Sequence, residues 1–298
     1  MNKRLLPASS LLLFSLLLLL GCSQQQAVRQ DVFSSPGKIE NVQAGEFDTG
    51  KMWTFDYPPM DYFKRAYNFN PDREWFKKAR LSALRLPGCS ASFVSEDGLV
   101  MTNHHCARGA LDAANKEGEN LPENGFYAPT LTDERKIPNL YVDQLVLMED
   151  VTAEVQQAFE SGNTDEERVA NRTQKTGEIE KRYRDKTGLL CSVVTFYNGG
   201  KYSLYGYKRY TDVRLVFAPE LVLAFFGGDY DNFTYPRYDL DVSFFRVYGP
   251  DGKPLKTSNH LKWSAAGAQE GEVVFVLGNP GSTTRLRTVS QLEFSRDQ

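Results

Sequence analysis

GCSASFVSEDGLVMTNHHC, residues 88–106, is the stretch that decides how this chain folds. Two short apolar runs, Ser92–Val94 and Leu99–Thr102, flank the polar turn SEDG. An acidic residue followed by glycine between two β-prone runs predicts a hairpin. The second strand ends at two histidines and Cys106, and Cys89 lies at the other end of the hairpin. A disulfide between these two cysteines would hold the neighbouring imidazole in place.

The order of these residues resembles the catalytic-histidine segment of chymotrypsin-like serine peptidases. More narrowly, TNHHC at residues 102–106 is similar to the bacterial family of dipeptidyl-peptidases seven and eleven. By that resemblance His105, directly before the cysteine, is the general base, and His104 points to the other side of the strand end. Adjacent histidines could instead form a metal site, but neighbours on an extended chain point apart and do not converge on one ion. We therefore expect no metal site at these histidines, and the resemblance implies no metal or organic cofactor.

A second run, GGDYDNFTYPRYDLDVSFFRVY at residues 227–248, supplies candidates for the acid of the triad. A serine peptidase needs a carboxylate that holds the imidazole of its base in the right tautomer. Asp241 directly precedes an apolar strand, a position similar to that of the triad aspartate in chymotrypsin-like enzymes. The other aspartates lie in a loop with glycine and proline, where Asp is common in turns. We predict that Asp241 orients His105, with Asp231 as the next candidate.

The same run resembles a phrase of the dipeptidyl-peptidase family in which an Asn and the following aromatic residue hold the free α-amino group of the substrate. Those positions are Asn232 and Phe233 in this sequence. An Asn side chain offers a carbonyl acceptor to an ammonium group without adding net charge. The alternative is that Asn232 caps a turn and Phe233 packs in the core. Family members often carry His-Thr-Gly before the triad aspartate, whereas this chain has YDL at residues 238–240.

The sequence contains no phrase that is typical of a nucleophilic serine. No serine phrase of the GDSGG or GNSGS type occurs, and GNPGS at residues 278–282 has proline where the serine should stand. Ser282 is therefore predicted to be a turn residue. By the resemblance, the serine and the oxyanion donors come later in the chain, after a large helical domain. This sequence matches only the front part of a family member. We expect the chain to be a fragment that is inactive alone.

The first residues have the form of an export signal. Lys3 and Arg4 precede an apolar run that is short for a membrane span, and Cys22 follows in a phrase that resembles the bacterial lipobox. The prediction is a signal peptide over residues 1–21 and acylation at Cys22, in an exported periplasmic or outer-membrane lipoprotein of a Gram-negative bacterium. The alternative is an ordinary secretory signal with an incidental cysteine.

The four cysteines can be assigned on this basis. Disulfides persist in oxidising compartments outside the cytoplasm. Cys22 would be lipidated, and Cys89 would pair with Cys106. Cys191 remains, within an apolar run, and is predicted to be a buried core thiol unless a partner cysteine lies beyond residue 298.

The composition describes a globular chain with a mild negative charge. Of 298 residues, 41% are hydrophobic and 24% are charged, and the formal net charge is −3. These values are ordinary for a folded domain, and the absence of a basic stripe argues against a nucleic-acid partner. The family resemblance implies peptide substrates with a free N-terminus as partners, and the predicted lipid would add a membrane. The family resemblance adds a possible homodimer.

The expected fold is mainly β with helical insertions, namely the first β-barrel of a chymotrypsin-like double barrel and the start of a helical domain. Residues 22–50 are expected to be a tether and residues 51–284 the barrel, with a helical insertion at about 108–188. Residues 107–139 carry no clear periodicity and are expected to be a polar connection, and Val273–Leu277 is expected to be a strand. The helical domain is expected to begin near residue 285 and to be truncated.

By the resemblance, the complete protein is a serine-type dipeptidyl-peptidase that releases dipeptides from peptide N-termini. One alternative is a trypsin-like endopeptidase, which would share the triad but lack the amine clamp. The other is a catalytically inactive, peptidase-like lipoprotein used for binding.

Overall fold

The computed structural model describes residues 52–55, 57–225, 239–280 and 287–298. In these residues ten strands form one antiparallel sheet with the order β4-β9-β10-β3-β2-β1-β6-β8-β7, and β5 also pairs with β9. The strands are β1 (Ala83–Leu86), β2 (Cys89–Phe93), β3 (Leu99–Thr102), β4 (Phe126–Tyr127), β5 (Arg135–Lys136), β6 (Val142–Asp150), β7 (Leu190–Phe196), β8 (Lys201–Tyr210), β9 (Val213–Ala218) and β10 (Ser243–Val247). The mainly β character predicted from the sequence is confirmed.

The described residues also form helices. They are α1 (Met60–Tyr67), α2 (Arg73–Ser82), α3 (His104–Ala114), α4 (Leu121–Asn124), α5 (Thr152–Glu160), α6 (Asp165–Thr187), α7 (Leu221–Ala224) and α8 (Val289–Asp297). Among the described residues, no helix combines the length and the apolar character that a membrane crossing requires.

The hairpin predicted at residues 88–106 is formed by β2 and β3. Ser92 pairs with Met101 and Phe93 with Val100. The turn needs a glycine at Gly98, which has a φ of 68°. A Cβ atom there would also lie 2.9 Å from the carbonyl oxygens of two other segments. Since only glycine meets both conditions, this position fixes the turn.

The hydrophobic core fills the space behind this hairpin and under α3. Phe93, Val100 and Phe245 are almost fully buried, as is Leu111 of α3. Burial of each such side chain stabilises the fold by roughly 1.5–3 kcal/mol. The apolar side of α3 is made of small residues, so the helix packs closely against the sheet and holds its first turn in a fixed place.

Strand β10 is anchored by hydrogen bonds at its C-terminal end. The Arg246 guanidinium donates to a carboxylate oxygen of Glu134 at 2.8 Å and to the Asp97 carbonyl at 3.0 Å. The Tyr248 hydroxyl donates to the other Glu134 oxygen at 2.7 Å. Burial, and then the bond to Glu134, raises the pKa of Tyr248 to about 12, so this hydroxyl stays protonated as a donor. These hydrogen bonds therefore hold the strand in position.

The expectation for residues 107–139 was wrong. They contain most of α3, the short helix α4 and strands β4 and β5. Helix α3 has no clear hydrophobic period in its sequence, because its buried positions are mostly alanines around a single Leu111. The region 108–188 is likewise not a purely helical insertion, because β4, β5 and β6 lie within it. Its second part is dense in charged residues and does form two helices, α5 and α6.

One smaller expectation also needs correction. Val273–Leu277 is not assigned as a strand; instead, Phe275 packs edge-on against Phe63 at a ring-centroid distance of 5.2 Å. The C-terminal helix begins at Val289, where Thr288 and Gln291 form a capping box. This helix belongs to a different compact unit from Met52–Thr284.

Candidate active site

The pairing of β3 with β10 brings the candidate residues together. Thr102, the last residue of β3, pairs with Ser243, the first residue of β10. In an antiparallel pair, the chain that leaves one strand runs beside the chain that enters the other. Residues 103–105 therefore lie next to residues 241–242, although the two segments are far apart in sequence. Helix α3 begins at this point.

His105 and Asp241 form a direct pair. The His105 Nδ1 atom lies 2.7 Å from Asp241 Oδ2. The backbone N–H of His105 donates to the other oxygen, Oδ1, at 3.0 Å. One carboxylate therefore fixes both the ring and the backbone of the same histidine. It also accepts from the first turn of α3, where the helix has free N–H groups and a partial positive charge.

The electrostatics keep the carboxylate ionised. Burial raises the pKa of Asp241, but the hydrogen bonds from the backbone and ring of His105, the His105 charge and the Asn103 amide outweigh it, and the pKa lies below its ordinary value. The Asp241 side chain is 9% exposed, whereas that of His105 is 44% exposed. With Nδ1 on the carboxylate, the free edge of the imidazole carries Nε2. This is the arrangement that a general base needs.

His104 occupies the opposite environment. It is the first residue of α3 and is fully buried, and neither ring nitrogen makes a hydrogen bond of normal geometry. Burial lowers the pKa of His104, and the charge of Arg108 lowers it further, so this imidazole is neutral. The two histidines point apart as expected, but the reason given for it was wrong: they lie at a helix start and not at the end of a strand.

A disulfide braces the site. Cys89 at the start of β2 is bonded to Cys106 in the first turn of α3, with a Cα–Cα distance of 6.1 Å and a sequence separation of 17. The bond ties the residue after His105 to the sheet. Cys191 is free, but it is only partly buried, so the expectation of a buried core thiol needs correction. It packs against the cluster formed by β7, β8 and the helices above them.

Replacing both Cys89 and Cys106 with alanine is expected to lower the free energy of unfolding by about 3 kcal/mol, because a closed loop of this size restricts the unfolded chain. Thermal denaturation followed by circular dichroism measures the effect. The matched control is Cys191→Ala, which removes a thiol without opening a loop and should shift the melting temperature far less. Equal melting temperatures for the double variant and the control would show that the bond does not brace the fold.

The same residues also lie close enough together to suggest a metal centre. Cys89, His105 and Cys106 have potential ligand atoms within 4.8 Å of one another. The two sulfurs are bonded to each other, however, so neither is a thiolate. Cysteine binds a metal ion only as the thiolate. This group is therefore better explained as a braced histidine than as a metal site.

Several predicted positions lie outside the described residues. They are Cys22, Asn232, Phe233, the competing aspartates Asp229 and Asp231, and Ser282. Their roles stay predictions. Among the described residues, no serine hydroxyl is hydrogen-bonded to the ring of His105.

Asn103 is a further residue at this site, and no sequence pattern pointed to it. Its side-chain amide donates to Asp241 Oδ2 and to the Asp241 carbonyl, both at 3.2 Å. The available signal was a polar residue directly before the two histidines. Its meaning depended on which strand lies beside β3.

Comparison with known protein families decides the classification. The sequence model of the family described as Peptidase S46 matches residues 47–298. The chain belongs to the peptidase S46 family. The match includes the hairpin, the His105–Asp241 pair and the disulfide.

Curated sequences similar to this S46 chain include dipeptidyl-peptidases. It is 39% identical over 226 residues to the Asp/Glu-specific dipeptidyl-peptidase of Shewanella putrefaciens, and the match covers 70% of this chain and 30% of the relative. It is 33% identical over 243 residues to dipeptidyl-peptidase 7 of Phocaeicola vulgatus, covering 76% of this chain and 33% of the relative. The chain thus spans about a third of the length of the curated relatives it matches.

Solved structures give the same picture of the fold. The crystal structure of Porphyromonas endodontalis DPP11 in complex with substrate matches with a TM-score of 0.60 at 25% identity, covering 74% of this chain and 36% of that chain. The complex of the same protein with the dipeptide Arg-Glu matches with a TM-score of 0.57 at 27% identity, over 65% and 30% of the two chains. The S46 chain therefore has the fold of part of DPP11.

Proposed function

We propose that this protein, in its complete form, is a serine-type dipeptidyl-peptidase that releases dipeptides from the N-termini of peptides. The observation that carries the proposal is the 2.7 Å contact between His105 Nδ1 and Asp241 Oδ2. The S46 match and the names of the similar sequences support it. Peptides are the substrate class, since the similar DPP11 structures hold a dipeptide or a substrate.

His105 acts as general base and then as general acid. Its Nε2 takes the proton of a serine hydroxyl as the oxygen attacks the carbonyl carbon of the second peptide bond. The same proton is then given to the leaving amine, and the dipeptide remains as an ester on the serine. Water attacks this ester by the same route and releases the dipeptide. Asp241 holds the ring in the tautomer with the proton on Nδ1 and stabilises the imidazolium that forms.

The nucleophilic serine and the oxyanion donors come, in this proposal, from a part of the S46 fold that this sequence does not match. The chain covers 30% of the Shewanella relative and 33% of the Phocaeicola relative. The exposed ring of His105 supports the same view, because it leaves Nε2 accessible to a second segment. The 298-residue chain alone is therefore proposed to be inactive.

The amine of the substrate is proposed to bind Asn232 and Phe233, which lie outside the described residues. A dipeptidyl-peptidase must measure two residues from a free terminus, so it needs a closed pocket with acceptors for an ammonium group.

Blocking the N-terminus of the substrate tests the proposal. With the protein expressed from its complete reading frame, kcat/KM for an N-acetylated peptide should be at least about 100-fold lower than for the same peptide with a free amine, because the clamp would lose a charged partner. Product analysis by mass spectrometry should show successive loss of dipeptides. Equal rates on both peptides would favour a trypsin-like endopeptidase, and no hydrolysis of either would favour the non-enzymatic binding role.

The location of the protein is also a proposal. The charged and apolar pattern of residues 1–21 and the position of Cys22 support an exported lipoprotein, tethered to a membrane by its acylated cysteine. The Cys89–Cys106 disulfide fits an oxidising compartment such as the periplasm. A homodimer is proposed on the family resemblance alone.

A further inference from the structure

Asn103 lies against the candidate acid in a way that the proposed mechanism does not yet use. Its Nδ2 group donates to Asp241 Oδ2 at 3.2 Å and to the main-chain carbonyl of Asp241 at 3.2 Å. The two contacts come from one amide and reach one residue that is 138 positions away in the sequence. The Oδ2 atom that Asn103 contacts is the one that faces His105 Nδ1.

A simpler role for Asn103 would be to cap the helix that follows it. The residue is at the N-cap position of α3, and Asn is among the preferred residues at this position. Its side chain, however, makes no capping hydrogen bond to α3. The backbone N–H of His105 is satisfied by Asp241 Oδ1 instead. The cap of α3 is thus supplied by Asp241, and the side chain of Asn103 is free to hold Asp241.

The two contacts of Asn103 restrict different motions of Asp241. The bond to the carbonyl holds the backbone just before β10, and the bond to Oδ2 restricts rotation of the carboxylate. With Oδ1 held by the His105 N–H, the plane of the carboxylate is fixed at both oxygens. A neutral amide suits this position, because it favours the ionised carboxylate without competing with His105 as a charged partner.

We propose that Asn103 is a positioning residue of the active site: its amide sets the orientation of the Asp241 carboxylate and, through it, of the His105 imidazole. The inference rests on the proposed function, but it concerns a geometric relation that can be measured separately. It predicts that removal of the amide donor lowers kcat while KM is little changed.

Two variants separate positioning from capping. Asn103→Leu keeps the approximate shape and removes both donors. Asn103→Asp keeps the shape and offers a preferred N-cap residue with a charge that suits a helix N-terminus, but it places a second carboxylate beside Asp241. A capping role predicts normal activity for Asn103→Asp. The positioning role predicts that kcat falls about 10- to 100-fold in Asn103→Leu and at least as far in Asn103→Asp, with KM changed less than about threefold.

The matched control is Asn120→Asp, the same substitution at the N-cap of α4, where the side chain accepts from the Glu123 N–H. It should leave kcat unchanged. All measurements use the protein from its complete reading frame, with melting temperatures recorded in parallel. Unchanged kcat in Asn103→Leu, normal activity in Asn103→Asp, or a fall in kcat matched by a fall in melting temperature in both variants would each overturn the proposal.

A second readout keeps the test independent of the enzymatic assay. The proton between His105 Nδ1 and Asp241 should give a low-field ¹H resonance at a fixed pH, and this resonance should shift or broaden in both Asn103 variants but not in Asn120→Asp. If the wild-type protein cleaves no peptide, the proposed function fails and the resonance alone decides the role of Asn103. An unchanged resonance in that case overturns the inference as well.

Discussion

Replacing His105 with alanine should lower kcat/KM for a free peptide by about 10⁴-fold or more in the protein expressed from its complete reading frame. Loss of the base removes proton transfer both from the nucleophile and to the leaving amine, and in serine peptidases such losses reach about 10⁶-fold. The measurement is steady-state hydrolysis of a dipeptidyl substrate with a chromogenic leaving group. Most of the loss should lie in kcat.

The matched control for this experiment is His260→Ala. His260 has no hydrogen bond to Asp241 among the described residues, so its replacement should leave kcat within a few-fold of the wild-type value. Because the His105 ring is exposed on the surface of this chain, His105→Ala should also keep the melting temperature close to that of the wild type. Full activity in His105→Ala would remove His105 from the mechanism.

A buried, neutral neighbour makes the comparison with His105 more informative. His104 fills a core position and makes no hydrogen bond of normal geometry. Two identical side chains at consecutive positions thus have different surroundings: His104 is buried in the core, and His105 is exposed to water. Only the exposed ring can exchange protons with a substrate, and this is why the assignment of the base rests on His105.

Local patterns predicted the parts of the fold that depend on local chemistry. The β2–β3 hairpin followed from an acidic-Gly turn between β-prone runs, and α6 lies within the region that was expected to be a helical insertion. Helix α3 could not be predicted in this way, because its buried residues are mainly alanines, which give a weak hydrophobic period. Its position is set by packing against the sheet.

The candidate site shows the same division. The phrases around His105 and Asp241 pointed to two residues, and the structure places them in contact, while their catalytic roles stay predictions. Asn103 could not be assigned from the sequence, since its amide finds a partner only after β10 pairs with β3. A polar side chain at the end of a strand has many possible partners until the register of the sheet is known. Contacts between distant segments were thus the part that local patterns could not supply.

Replacing Asp241 with asparagine is expected to lower kcat by about 10⁴-fold while the protein stays folded. In the Ser-His-Asp template the equivalent substitution has this effect, because an amide N–H beside the ring stabilises the wrong tautomer of the histidine. The side-chain carbonyl of the new asparagine can still accept the bond from the His105 N–H, so the start of α3 keeps one acceptor. The assay is the same steady-state hydrolysis, with circular dichroism as a measure of folding.

The decisive comparison for Asp241 is with the other aspartates of the same run. Asp231→Asn changes the competing candidate, and Asp239→Asn changes a residue two positions before Asp241. If Asp241 orients the base, only Asp241→Asn should produce the large fall in kcat, because only this carboxylate holds both the backbone N–H and the Nδ1 atom of His105 among the described residues. If Asp231→Asn lost activity to the same extent and Asp241→Asn did not, the acid would have to be reassigned, and the contact seen at Asp241 would be no more than a cap on α3.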